Sequence, residues 1–346
     1  MTKVAINGFG RIGRTFFRMA VDNPDFKIVA INDLGDLDNL AYLLRYDTAY
    51  GQSGLEVEVG TDALTVNGKK IAFSQVKDPA TLPWKQHDIG VVLEATGVFT
   101  SYQQAKAHLE AGAERVIISA PVKDDPTAAG VDGATVLMGV NDEALNTCTV
   151  SSNASCTTNA TSPLVAILKA GIGIEKALLN TVHAYTSTQA IVDGPVRGSD
   201  FRKGRAAAQN IIPTSTGAAI ATTKVHTELE GKFDGIAMRV PVIVGSIVDV
   251  TFVASRDTTV EEVNKVMKDA AESNAWNKLF AVTDEPVVSS DIIGARFAAI
   301  ADLSMTRVVG GNLVKVLAWY DNETSYTHTL VEHTASVARF LGRKEA

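Results

Sequence analysis

One of the two cysteines in this 346-residue chain stands in the stretch SSNASCTTNA, Ser151 to Ala160, among small hydroxyl and amide side chains. The common alternative for a free cysteine is a small core residue in apolar company, and these polar flanks argue against it. The run TVSS reads as a strand that ends just before the thiol, with a helix beginning near Ser155 or Cys156. Cys156 would then face the unpaired N–H groups and positive dipole end of a helix. That setting lowers a thiol pKa from about 8.5 toward neutrality and makes a nucleophilic thiolate. Ser155 and Thr157 stand where further donors to an anion are wanted. Cys148, in NTCTVS leading into a strand, fits the inert core alternative.

A nucleophilic thiol works with a base. Of the six histidines, His87, His108 and His226 fall in polar stretches that read as exposed, and His328 and His333 belong to a C-terminal helical pattern. His183, in the alternating strand NTVHAYT, is different. Thr181, His183 and Tyr185 share one face, with Val182 and Ala184 on the other. A polar strand face that ends in a long loop makes an active-site floor, although a satisfied structural histidine would produce the same pattern.

A second chemical signature lies at the N-terminus, where NGFGRIG places Gly8, Gly10 and Gly13 in G-x-G-x-x-G spacing after the strand KVAING and before a helix. Gly8 permits the tight turn, Gly10 lets backbone approach a pyrophosphate, Gly13 allows close helix packing, and the helix N-terminus attracts the anion. Asp33 ends the next strand, FKIVAIND, at the distance from the glycines where a carboxylate accepts hydrogen bonds from an adenosine ribose. A carboxylate there repels the extra phosphate of NADP, so the expected cofactor is NAD.

The elements that must position these residues follow from periodicity. Ile12, Phe16, Met19 and Ala20 keep helical spacing until Asn23-Pro24 stops it, Asp36 and Ser101 can cap two more helices, and IGVVLEATG, RVIIS and ATVLMGVN supply strands. Alternating short strands and helices predict a mainly parallel, doubly wound sheet. Beyond Cys156 the strands ALLNTVHAYT, FDGIAMRV and GSIVDVTFVA are longer, and Val248, Val250 and Phe252 share one face, as in a half-buried antiparallel sheet. Thr259 with Glu262 reads as a capping box, and Gly310-Gly311 as a hairpin turn. The stretch from Thr186 to Gly217 has weak periodicity and the length of a functional loop. The expected fold is therefore an α/β Rossmann NAD-binding domain over residues 1–155, followed by an α+β catalytic domain with a mostly antiparallel sheet over 156–321. A C-terminal segment and helix over 322–346 are expected to return to the first domain.

Composition narrows the class. Net charge is −7 with scattered Lys and Arg, which argues against nucleic acid or an anionic membrane as partner. No apolar run approaches a membrane span, no early signal-peptide core is seen, and two cysteines without C-x-x-C spacing form neither a disulfide framework nor a zinc site. The expected compartment is the reducing cytoplasm, with no metal.

Taken together, INGFGRIGR, SNASCTTN, TVHAYT, IIPTSTGAA, AMRVP and WYDNETSY resemble, in order, the motifs of the phosphorylating glyceraldehyde-3-phosphate dehydrogenase family along essentially the whole chain. The resemblance implies that Cys156 is the nucleophile, that His183 is base and later acid, and that Asn322 orients the nicotinamide carboxamide. It implies that Arg11 and Ile12 line the pyrophosphate and Lys77 the adenine edge, and that Thr96, Gly97 and Ser119 complete the cofactor wall. It also implies two anion sites, for substrate phosphate and inorganic phosphate, at positions matched by Ser155, Thr157, Thr186, Thr216, Gly217 and Arg239. The implied reaction converts D-glyceraldehyde 3-phosphate, NAD and phosphate to 1,3-bisphosphoglycerate, in glycolysis or gluconeogenesis, through a hemithioacetal and a thioester; the implied assembly is a homotetramer. The chain departs from the family pattern in places. Thr188 stands where the family typically has Asp, Lys203 where it typically has Arg, RVPVIVGS lacks the usual Pro and Asn, and Ala160 replaces a second cysteine. The alternatives are a related phospho-aldehyde dehydrogenase, such as one acting on erythrose 4-phosphate, or a nucleotide-binding redox sensor.

Overall fold

Short buried strands joined by helices need a sheet covered on both faces, and the first half of the chain builds one. The structure is a computed structural model that describes residues 1–196 and 198–344. It divides into two units, Met1–Ala154 with the chain from Thr327 onward, and Ser155–Tyr326.

The sheet of the first unit has the order Gly133–Thr135, Val150–Ser152, Arg115–Ile118, Val91–Glu94, Thr2–Asn7, Phe26–Asn32, Lys69–Ser74, Ala63–Val66, Val57–Val59. The first seven run parallel. Thr2–Asn7 lies between Phe26–Asn32 and Val91–Glu94, so the chain leaves it in one direction and later returns on the other side. The crevice at the carboxyl end of Thr2–Asn7 is the topological switch point, where such sheets bind ligands. The last two strands pair antiparallel and form an edge absent from the sequence expectation. Of ATVLMGVN only the start is strand; the buried Val136–Met138 segment turns away, held by Val136 N–H on Ser152 O (2.8 Å) and Leu137 N–H on Asn141 Oδ1 (2.8 Å).

Local signals set the helices. Asp36 accepts from Asn39 N–H at 2.9 Å to start Leu37–Arg45, and Ser101 accepts from Gln104 N–H at 3.1 Å to start Tyr102–Glu110. The helix Thr324–Lys344 is tied to the first unit by His333, whose Nε2 lies 2.8 Å from Ser151 Oγ and whose Nδ1 lies 3.1 Å from Asn153 Oδ1. Arg339 pairs with Asp25 at 2.6 Å.

In the second unit the order is Ile212–Ser215, Phe233–Val240, Lys176–Ala184, Ser246–Val253, Leu313–Tyr320, Ala299–Val309, Phe280–Thr283, and four of the six pairings are antiparallel. Val248, Val250 and Phe252 face the core with Leu164, Leu168 and Ile172 of the helix Cys156–Ile172. Gly310 and Gly311 turn the last hairpin with φ of +60° and +85°, a conformation that costs a residue with a Cβ. Thr259 accepts from Glu262 N–H (3.2 Å), but the Glu262 carboxylate turns to Arg256 and Thr258, so only half of the expected capping box forms. His108 and His226 are buried, against the expectation of exposure, because both stand in polar networks.

Candidate active site

Ser155 caps the helix Cys156–Ile172 with its hydroxyl on Thr158 N–H (3.1 Å), which makes Cys156 the first helical residue. The preceding Ala154 takes a left-handed conformation (φ +54°). Lys176–Ala184 carries Thr181 and His183 on its buried face, as the alternation predicts. Cys156 Sγ lies 3.3 Å from His183 Nε2.

On the other side of the ring two groups meet Nδ1: the Ala184 carbonyl oxygen at 2.6 Å, which only accepts, and the Arg239 guanidinium at 2.8 Å, which only donates and also reaches that carbonyl (3.0 Å). The carbonyl favours a proton on Nδ1, which leaves the Nε2 lone pair to the sulfur; the guanidinium favours the opposite tautomer. Burial first, and this cation second, push the His183 pKa down to about 3, so the ring is a free base at neutral pH.

The thiol differs from the expectation. Cys156 is only partly buried as a residue, yet protein packed around its sulfur withdraws it from water and pushes the pKa up. The opposing pulls of Arg239 and the Thr157 donors are smaller. The pair is therefore neutral thiol and neutral imidazole, and the expected thiolate at neutral pH is corrected to one formed when the base takes its proton.

Tyr320 organises this pair, a role that sequence reasoning missed. Its ring packs edge-on to His183 with centroids 5.9 Å apart, and its hydroxyl bonds both Thr157 Oγ1 (3.0 Å) and Thr181 Oγ1 (2.9 Å). Two residues on, Asn322 Oδ1 accepts from Gly245 N–H (3.2 Å) and Ser246 Oγ (3.0 Å), while Ser246 Oγ accepts from Ala184 N–H (3.1 Å). Asn322 and the strand end after His183 are thus held through one serine. The only advance signal for Tyr320 was its place beside Asp321 and Asn322 in the quoted motif.

Of the expected anion ligands, Arg239 stands against the catalytic pair. Thr157 Oγ1 lies 3.0 Å from the Tyr320 hydroxyl, and Ser155 Oγ accepts from Thr158 N–H in the helix cap. Thr186 Oγ1 pairs with Thr188 Oγ1 at 2.9 Å, and Thr216 Oγ1 accepts from Ala218 N–H (3.1 Å) at a short helix that begins after Gly217. Lys203 lies in the turn Phe201–Gly204, where its carbonyl accepts from Ala190 N–H.

In the first unit a cavity of about 660 Å³ opens at the switch point, lined among others by Gly8, Gly10, Asp33, Lys77 and Thr96. The glycines fit a dinucleotide. Gly8 has φ +97° and a Cβ there would lie 2.5 Å from Thr96 N; a Cβ on Gly13 would lie 2.1 Å from Gly8 O; Gly10 faces open space. The helix Arg11–Ala20 starts with Gly10 and no side-chain cap, leaving the first turn for an anion. Asp33 is fixed by Phe9 N–H (2.6 Å) and Gly35 N–H (2.7 Å). The Arg11 side chain turns to Asp47 (2.6 Å), which leaves the backbone at the start of this helix as what Arg11 and Ile12 present. Gly97 follows Thr96 on the cavity wall segment, and Ser119 directly follows the strand Arg115–Ile118 with its N–H on Glu94 O.

A dinucleotide cavity on a parallel sheet and a thiol–imidazole pair on an antiparallel-rich one define a class, the nucleotide-dependent dehydrogenases that work through a thiol. Comparison with known proteins narrows it. Residues 2–102 match the glyceraldehyde 3-phosphate dehydrogenase NAD binding domain and residues 155–322 its C-terminal domain. The chain is 47% identical to glyceraldehyde-3-phosphate dehydrogenase of Clostridium pasteurianum, covering 98% of this chain and 100% of that one. It is 46% identical to the Geobacillus stearothermophilus enzyme, covering 97% and 98%. The chain belongs to the glyceraldehyde-3-phosphate dehydrogenase family.

Proposed function

We propose that this chain oxidises D-glyceraldehyde 3-phosphate with NAD and phosphate to 1,3-bisphosphoglycerate, with Cys156 as nucleophile and His183 as base. The observation that carries the residue assignment is the 3.3 Å approach of Cys156 Sγ to His183 Nε2, with the far side of the ring anchored at Ala184 O. His183 accepts the thiol proton as sulfur attacks the aldehyde carbon, and the hemithioacetal oxyanion is met by the imidazolium and the Cys156 N–H. NAD, when bound, supplies the hydride acceptor. The imidazolium passes its proton to the oxyanion to make the hemithioacetal hydroxyl, and as hydride leaves the carbon His183, neutral again, withdraws that proton, leaving a thioester on Cys156. Phosphate attack on that thioester releases the acyl phosphate and returns the thiolate, to which the imidazolium gives back its proton.

Within this reading, Asn322 orients the nicotinamide, Asp33 the ribose, Arg11 and Ile12 the pyrophosphate, and Lys77 the adenine edge, with Thr96, Gly97 and Ser119 on the remaining wall. Arg239, Thr186 and Lys203 serve one phosphate, and Ser155, Thr157, Thr216 and Gly217 complete the donors. Lys203 brings one charge without the planar fork of an arginine, which makes its phosphate contact the weaker kind. Ile191, Val192, Phe201 and Ile211 leave large apolar side chains exposed in the long loop, which supports a homotetramer, and two free cysteines suit a reducing cytoplasm.

The test is NADH formation in the presence and absence of each co-substrate. We expect absolute dependence on aldehyde and phosphate. A higher kcat/KM with erythrose 4-phosphate, or NADH formation that ignores phosphate, overturns the substrate assignment.

A further inference from the structure

Glu94 ends the strand Val91–Glu94 and is 2% exposed. A buried carboxylate is costly unless donors surround it, and here they do. It accepts from Asn7 Nδ2 (2.6 Å), from Thr96 N–H (2.8 Å) and from the Thr96 hydroxyl. The fourth donor is His108. Trp84 Nε1–H donates to His108 Nδ1 at 3.0 Å, so the ring proton sits on Nε2, 3.0 Å from Glu94 Oε2.

The network continues across the sheet. Asn7 Oδ1 accepts from Asn32 Nδ2 (2.8 Å), and Asn32 Oδ1 accepts from Ser74 Oγ (2.9 Å) and Val76 N–H (2.9 Å). Each of these groups is followed along the chain by cavity-lining residues: Gly8 after Asn7, Asp33 after Asn32, Lys77 after Val76, and Ala95 and Thr96 after Glu94. Glu94 and His108 do not line this cavity themselves. Every partner of the carboxylate is a donor, so an amide in its place would turn an NH2 toward N–H groups.

We propose that Glu94 and His108 are a positioning pair for nucleotide binding. The carboxylate holds the turn at Gly8 and the Thr96 wall in register from behind, and the imidazole holds the carboxylate. NAD affinity then depends on two side chains that do not line the cavity. This inference rests on the NAD reading of that cavity.

Isothermal titration of the full chain with NAD tests both. For Glu94→Gln we expect the Kd to rise at least tenfold, while the rate of Cys156 alkylation by iodoacetamide without nucleotide stays within twofold and the KM for aldehyde is unchanged. His108→Gln keeps an N–H donor near the Nε2 position and should bind within threefold of the parent, whereas His108→Leu should lose at least tenfold. A Glu94→Gln Kd within twofold of the parent, or equal losses in His108→Gln and His108→Leu, overturns the proposal. Should Glu94→Gln fail to fold, the histidine pair decides alone. A parent protein that shows no NAD binding fails the cofactor reading itself, an outcome distinct from the others.

Discussion

At the scale of the residue, the site's chemistry is governed by who holds the proton. His183 titrates near pH 3 and Cys156 above its ordinary value, so across pH 5–8 neither group changes charge. Alkylation of Cys156 by iodoacetamide should therefore rise toward alkaline pH as the thiol ionises, with no separate imidazole step between pH 5 and 8. An inflection near 6.5 would contradict the assignment. Replacing Arg239 by Gln removes the cation that pulls the thiol down, so the alkylation profile should move to higher pH. His183→Asn removes the acceptor, and turnover should fall roughly 10²- to 10⁴-fold, measured as kcat. Cys156→Ser should abolish NADH formation while leaving the NAD Kd unchanged, because the cavity lining lies in another part of the chain. Loss of NAD binding with it would make the residue structural.

At the scale of the element, His333 gives the C-terminal helix a pH dependence. Burial pushes its pKa down to about 3, below the value of an unfolded histidine. The unfolded chain thus binds the extra proton first, so stability is whole above about pH 6.5 and falls as pH drops toward 3, by up to about 1.4 kcal/mol per pH unit for one such group. Urea midpoints at pH 7.5 and 5 should show the loss, and His333→Asn should reduce the difference between them. What could be read in advance divides along the same lines. Caps at Asp36, Ser101 and Thr259 were legible because donor and acceptor lie three residues apart. His183 was legible because strand alternation is local. The burial of His108 was not, since its partners Trp84 and Glu94 lie 24 and 14 residues away, and Tyr320 meets Thr157 across 163 residues. The thiol pKa was misjudged for a related reason. A helix terminus is visible in a local pattern, but desolvation depends on everything that packs around the sulfur.

At the scale of the whole molecule, the exposed apolar loop carries the assembly prediction. Ile191 is 85% and Phe201 78% exposed, more than isolated surface residues of this kind need be. Sedimentation should report about four times the 36.7 kDa chain mass, and Phe201→Asp should shift it to smaller species. Elution of the parent at the mass of one chain would refute the tetramer.

The first unit is also discontinuous along the chain, for the helix that engages Ser151 and Asn153 through His333 comes from beyond Thr327. On the ribosome, then, the first unit cannot be finished until the codons past Thr327 are read. The intervening 172 residues, Ser155 to Tyr326, take roughly 10–30 s to synthesise at ordinary rates. For that interval the nascent nucleotide domain lacks the helix that His333 anchors, while the other unit, Ser155 to Tyr326, emerges as one continuous stretch.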